Sequence, residues 1–193
     1  MSDHTTIIIA GVGGAIGLLG LIWFISTYNR LVRLRNLAKK TWADIDVLLQ
    51  QRYDMLPNLV NAVKGYASHE KEIFEQFAQA RQMAAGARQS GDVGALGQAE
   101  GMLSNIMPRI NMVAEQYPEL KADSSFVNLQ NQIVAIENQV ADRREGYNAG
   151  VTNWNTAIEM FPASIVAGVM SATQMDTFTV VSAEVRAAPV VSF

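Results

Sequence analysis

Cysteine is absent from the 193 residues, and histidine occurs only at His4 and His69. Without thiols the chain has no disulfide, no thiolate metal site and no cysteine nucleophile, and it suits a reducing compartment. His4 lies in a short polar head, so any histidine chemistry rests on His69. Charge is missing in two places. Residues 7–25, IIIAGVGGAIGLLGLIWFI, are nineteen positions without one charge, and residues 28–40 hold Arg30, Arg33, Arg35, Lys39 and Lys40 with no acid. The remainder, residues 41–193, carries ten bases against seventeen acids, a net of −7. So acidic a body argues against nucleic acid as a partner.

The uncharged run approaches the roughly 20 residues a helix needs to cross the hydrocarbon layer, and it predicts a single-pass transmembrane helix. A cleaved signal peptide would need bases before the apolar run and a small-residue cleavage site, but MSDH precedes it and STYNR follows. All five collar bases follow the span, which places the short N-terminus outside and the body in the cytoplasm, in the cell inner membrane. Trp23 and Tyr28 suit the aromatic belt, and Arg30, Arg33, Arg35, Lys39 and Lys40 are candidate ligands for anionic lipid headgroups. Small residues at four-residue spacing, Ala10 with Gly14 and Gly13 with Gly17, offer a face on which two such helices can pack closely.

Downstream, apolar residues recur at alternating steps of three and four, the period of helices packed on a core. The first stripe is Leu31, Leu34, Ala38, Ile45 and Leu48. Pro57 should bend or end this helix, because proline lacks the amide hydrogen and clashes with the preceding turn; Asp54 and Asn58 are local capping groups. Leu59, Val63, Tyr66, Glu70, Ile73, Phe77, Ala80 and Ala84 form the second stripe. GARQSGDVGALG, residues 86–97, predicts a loop. The third stripe is Leu103, Ile106, Ile110, Val113 and Tyr117, interrupted by Pro108. The fourth runs from Leu129 through Ile133, Ile136, Val140, Arg143, Tyr147, Val151, Trp154 and Ile158 to Phe161, on a helix over about 124–161 with Asp123, Ser124 or Ser125 as its cap.

The expected fold is therefore all-α: an antiparallel up-and-down four-helix bundle after an N-terminal transmembrane helix, with an extended C-terminal arm. The expected boundaries are 1–27 for the external head and span, 28–162 for the bundle and 163–193 for the arm. TFTVVSAEV, residues 177–185, has strand-forming composition and predicts a short strand or an arm, packed on its own bundle or lent to a neighbour.

No catalytic, cofactor or metal constellation emerges. HEKEIF, residues 69–74, has Ile73 where a zinc protease needs its second histidine, and a di-iron bundle needs Glu-x-x-His pairs that a single histidine cannot supply. The 86–97 loop has no lysine for a phosphate-binding turn. The informative oddities are Glu70 and Arg143, charges on stripe positions that their neighbours fill with apolar groups. The expectation is that they pair across the core and set helix register, with Arg52 a second candidate partner. The alternative is a polar interhelical pocket around Glu70, His69 and Arg143, serving a ligand sensor or an enzyme.

TWADIDVLLQQRYDMLPNLVNAVKGYASHEKEIFEQFAQAR, residues 41–81, resembles the first half of a LemA family protein, and YPELKADSSFVNLQNQIVAIENQVADRREGYNAGVTNWNTAIEMFPASIVAG, residues 117–168, resembles its second half. The resemblance extends to the N-terminal membrane helix and to the closing PxVxF pattern, Pro189 to Phe193. It departs at Trp154, where a tyrosine is usual, and at ATQMDTFTVV, where the family tail is more charged. It implies a helical bundle on one membrane helix, no established activity, and a membrane-bound protease of the HtpX type as a conceivable partner. Taken together, the expected function is a non-catalytic, membrane-anchored scaffold that forms homo-oligomers and contacts membrane lipids and other membrane proteins.

Overall fold

The computed structural model describes residues 2–67 and 69–180, and among them every regular element is a helix. The order is α1 (Ser2–Tyr66), α2 (Lys71–Ser90), α3 (Val93–Gln116), α4 (Pro118–Ala122), α5 (Ser124–Glu159) and α6 (Ala163–Val169). Two compact units are present: residues 2–40 with 149–175, and residues 41–148 with 176–180.

In the first unit, α1 contains the apolar run 7–25, whose large side chains other than Phe24 are exposed: Ile16 is 65% exposed and Leu19 is 64% exposed. It is the one helix among the described residues long and apolar enough to cross a membrane. Farther along, Leu31 joins Trp154, Ala157, Ile158, Val166 and Ala167 in a buried cluster, with Phe24, Leu34 and Met170 packed against it.

The second unit is built on most of the expected stripe positions, although Leu48 and Leu129 are half-buried, Tyr66 is exposed, and Leu49 and Leu56, outside the stripes, are buried. Ile45, Leu49, Leu56, Leu59 and Val63 of α1 are buried, as are Ile73, Phe77 and Ala80 of α2, Leu103, Ile106 and Ile110 of α3, and Ile133, Val140 and Tyr147 of α5. Of the bend or end expected at Pro57, the end does not occur: α1 continues to Tyr66 with Pro57 inside it. Proline in a helix interior removes one hydrogen bond and costs about 3 kcal/mol. Burial of Leu56, Leu59 and Val60 around it supplies a packing gain of the same order. Pro108 likewise lies inside α3 without ending it.

The expected 86–97 loop reduces to Gly91 and Asp92. Gly91 closes α2 in the left-handed conformation, φ 70°, which glycine adopts without steric penalty. Asp92 then caps α3, its Oδ1 accepting from the Ala95 amide at 2.8 Å. Of the three candidate caps of α5, Asp123 accepts from the amides of Ser125 at 2.7 Å and Phe126 at 3.4 Å. Residues 171–180 form no regular element; the rest of TFTVVSAEV, on which the expectation of a strand or an arm rests, and the Pro189–Phe193 pattern lie outside the described residues.

Candidate functional site

Arg52 and Tyr53 are neighbours on α1, and both side chains converge on Glu100 of α3. Arg52 Nη1 donates to Glu100 Oε2 at 2.5 Å, and the Tyr53 hydroxyl donates to Glu100 Oε1. A third helix takes part: Glu137 Oε2 of α5 lies 3.7 Å from Arg52 Nη2. The Arg52 and Glu100 side chains are each 2% exposed, whereas Glu137 is 41% exposed and reaches water. The site thus holds one cation, two carboxylates and a neutral phenol. Burial, followed by the charge and hydrogen bond of Glu100, pushes the Tyr53 hydroxyl far above its ordinary pKa, which keeps it protonated and donating.

This geometry fixes register. Both Glu100 oxygens are taken by protein donors, and a shift of one helix by a single turn would strand a charge away from solvent, at a cost of several kcal/mol. Arg52 Nε is buried without a hydrogen-bond acceptor among the described residues. No group of three or more metal-ligating side chains occurs among those residues.

Shallower ties repeat the pattern around the unit. Arg88 of α2 forks onto Asp46 of α1 at 2.7 and 3.1 Å and donates to Gln50. The hydrogen bond that Arg88 donates to Asp46 holds its guanidinium above its already high pKa. Arg109 of α3 reaches Glu72 at 3.4 Å and Gln76 at 2.8 Å on α2. Gln130 of α5 donates to Asn111 of α3 at 2.7 Å.

The expected pairing of Glu70 with Arg143 is not formed. Glu70 is the half-buried N-cap of α2 rather than a residue on a helix face, and Arg143 of α5 is exposed, its long stem letting the guanidinium turn to water. No ion pair joins the two among the described residues. His69 is exposed in the turn between α1 and α2. Two open grooves of the second unit, about 510 Å³ beside Gln51, Met55 and Gln139 and about 340 Å³ beside Met107, Asn111 and Val134, are lined by none of these three residues. Sequence periodicity does not single out Glu100, because a loop over 86–97 starts the third stripe at Leu103. Placing Leu96 on that stripe makes Glu100 the next position on the same face, a buried acid waiting for a base.

Of the membrane-related candidates, Gly13, Gly14 and Gly17 are exposed on α1, and a Cβ at each would meet nothing within 4 Å. The side chain of Ala10 lies outside the described residues. Arg30, Arg33, Lys39 and Lys40 are exposed, and Arg35 is half-buried.

The arm, through residue 180, is held by its own chain. In the first unit, the Asn155 amide brackets the Met175 backbone with two bonds of 2.9 Å, and Trp154 Nε1 donates to the Thr173 carbonyl at 2.9 Å. In the second, Asn148 brackets the Phe178 backbone with bonds of 3.0 and 2.8 Å, and the Tyr147 hydroxyl donates to the Asp176 carbonyl at 2.9 Å. Burial, followed by the Asp176 charge, raises the Tyr147 pKa. Phe178 is fully buried, edge-on to Trp42 at 5.6 Å. Gly97 makes this seat possible: a Cβ there would lie 2.1 Å from the Thr179 carbonyl oxygen.

Over the described residues these features define a class: an all-helical protein carrying one helix apolar enough to span a bilayer, whose body is tied together by interhelical ion pairs and a clamped segment after α6. A model of the LemA family matches residues 41–193, and the chain belongs to that family. Among its relatives, the magnetosome protein MamQ of Magnetospirillum gryphiswaldense is 25% identical over 191 residues, which cover 85% of this chain and 70% of the relative. Magnetosome protein MamQ 2 of Paramagnetospirillum magneticum is 26% identical, covering 79% of this chain and 66% of the relative. Protein LemA of Metamycoplasma hominis is 24% identical, covering 77% of this chain and 68% of the relative. The chain thus spans about two-thirds of the length of these relatives.

Proposed function

We propose that this protein is a membrane-anchored assembly scaffold, without catalytic activity, whose body sits on the cytoplasmic side of the inner membrane and whose anchor brings copies together. One observation carries this reading: the uninterrupted helix α1 contains both the exposed apolar run 7–25 and the side chains of Ile45, Leu49, Arg52 and Leu56 that build the body's core. The buried charges of the body are spent on joining helices, as a scaffold requires and an active site does not. The scaffold form is an antiparallel bundle of the 41–66 part of α1 with α2, α3 and α5, which the tight Gly91–Asp92 turn supports for the α2–α3 pair. Gly13, Gly14 and Gly17, with Ala10, give the anchor a face on which helices approach closely, and the collar bases hold the body against anionic lipid.

The chain is related to proteins named for the magnetosome, and the proposed role extends to organising the membrane around the anchor and the proteins in it, a membrane protease among them. The test is crosslinking of the full-length protein in its own membrane. Gly13→Leu with Gly17→Leu should abolish crosslinked dimers and higher species. Unchanged crosslinking in that variant would show that the anchor face does not drive assembly.

A further inference from the structure

Sixteen residues in succession, Met160 to Met175, carry no charge, and they form the turn after α5, helix α6 and the segment that follows. One side of α6 is buried, with Val166 at 0% and Ala167 at 4% exposure. The other side is apolar yet open, with Ile165 56% and Val169 70% exposed, and the turn before the helix adds Met160 at 58% and Phe161 at 81%. A short helix that is apolar on both sides and packed on only one lacks a partner for the second among the described residues.

Its position names that partner. The buried cluster containing Val166 packs against Phe24, a residue within the last turn of the uncharged run, so α6 lies beside the end of the span. Trp23, Thr27 and Arg30, one face of α1 at that level, line a cavity of about 270 Å³ with Met160, Phe161 and Pro162. From Trp23 to Arg30 the helix rises roughly 10 Å, about the depth of one headgroup layer with the start of the hydrocarbon. A tryptophan, a hydroxyl and a guanidinium at this depth, walled by apolar side chains, match a phospholipid phosphate with its acyl chains beyond.

We infer that the α5–α6 corner is a second membrane contact: Met160, Phe161, Ile165 and Val169 enter the bilayer beside the anchor, and the cavity takes the headgroup of one anionic phospholipid with its phosphate on Arg30. The proposal rests on residues 7–25 crossing the bilayer. It turns the anchor from a tether into a fixed attachment, because two contacts with one leaflet hold the first unit in one orientation.

The absence of native cysteine permits single-site labelling of the full-length protein in vesicles containing phosphatidylglycerol. Nitroxides at Phe161→Cys and Val169→Cys should be accessible to membrane-dissolved oxygen and shielded from a water-soluble nickel chelate, as at Ile16→Cys in the span, whereas Met112→Cys on the body should show the reverse. Chelate access at positions 161 and 169 equal to that at 112, with position 16 shielded, would overturn the second contact while leaving the anchor intact. An unshielded position 16 would overturn the anchor and this inference together. Purified wild type washed in detergent should retain about one phosphatidylglycerol per chain by phosphorus assay, Arg30→Gln should lose it, and Lys121→Gln, on the exposed surface of the body, should keep it. Equal retention by Arg30→Gln would overturn the assignment of the cavity.

Discussion

Replacing Glu100 with Leu leaves the Arg52 guanidinium in a site where 2% of its side chain is exposed, with Glu137 at 3.7 Å as its remaining counter-charge. Breaking a buried pair from one side costs about 3–5 kcal/mol. The Tyr53 hydroxyl also loses its acceptor, for a further loss of about 1–3 kcal/mol. Arg52→Met leaves Glu100 with a single donor, at a cost again of about 3–5 kcal/mol. The double variant buries no charge and strands only the Tyr53 hydroxyl, so its loss should fall to about 1–3 kcal/mol, far less than the sum of the singles. Adding Tyr53→Phe removes that orphan and should bring stability back to within about 1–2 kcal/mol of wild type. The assay is urea unfolding of the full-length protein in detergent, followed by circular dichroism and by the fluorescence of the tryptophans. If the double variant simply adds the two single losses to within about 0.5 kcal/mol, the three side chains do not act as a unit and the register argument fails.

Three further outcomes follow from particular contacts. Gly97→Ala should destabilise by about 1–3 kcal/mol, because the new Cβ would lie 2.1 Å from the Thr179 carbonyl and backbone cannot swing aside. Gly86→Ala, where a Cβ meets nothing within 4 Å, should instead stabilise by roughly 0.5–1 kcal/mol, and thermal midpoints report both signs. Tyr53 has its folded pKa raised above the 10.0 of the unfolded chain, so the unfolded state releases this proton first. The stability from its neutral form is therefore complete below about pH 10 and declines above it by up to about 1.4 kcal/mol per pH unit, a decline that Tyr53→Phe should remove from a stability–pH curve. Asn148→Ala combined with Asn155→Ala should free the arm, seen as faster proteolytic cleavage between residues 171 and 180 with the helical signal unchanged; a cleavage rate equal to wild type would deny the clamp.

Periodicity made the helices legible, since the stripes on Ile73 to Ala84, Leu103 to Val113 and Ile133 to Ile158 place mostly buried residues where they are observed. A helix end at Pro57 and a loop over 86–97 are what local propensity suggests, and packing overrides both, while Pro108 lies within the helix that its stripe predicts. Pro57 and Pro108 lie inside helices, and the glycines of 86–97 serve a two-residue turn and one close approach. The uncharged run and the basic collar were legible from composition, because they depend on length and charge alone. The polar core was not. Arg52 stood near a stripe, but its partner Glu100 was hidden by the loop assignment, and Arg143 shared the stripe period yet faces water. Periodicity gives the angle of a residue around its own helix but not the height at which two helices meet, so it offered Glu70 and Arg143 as partners when the pair lay elsewhere. The asparagine clamps were equally invisible, because single amides on α5 acquire meaning only when the arm lies alongside them.

The central claim, that the anchor makes this protein an assembling scaffold, is tested most directly by the mass of the full-length protein extracted in a mild detergent, beside a version beginning at Tyr28. The account predicts a defined homo-oligomer that falls to a monomer without the anchor. A full-length monomer, alone or carrying a stoichiometric partner or bound ligand, would contradict it and direct attention to the body as an adaptor or sensor.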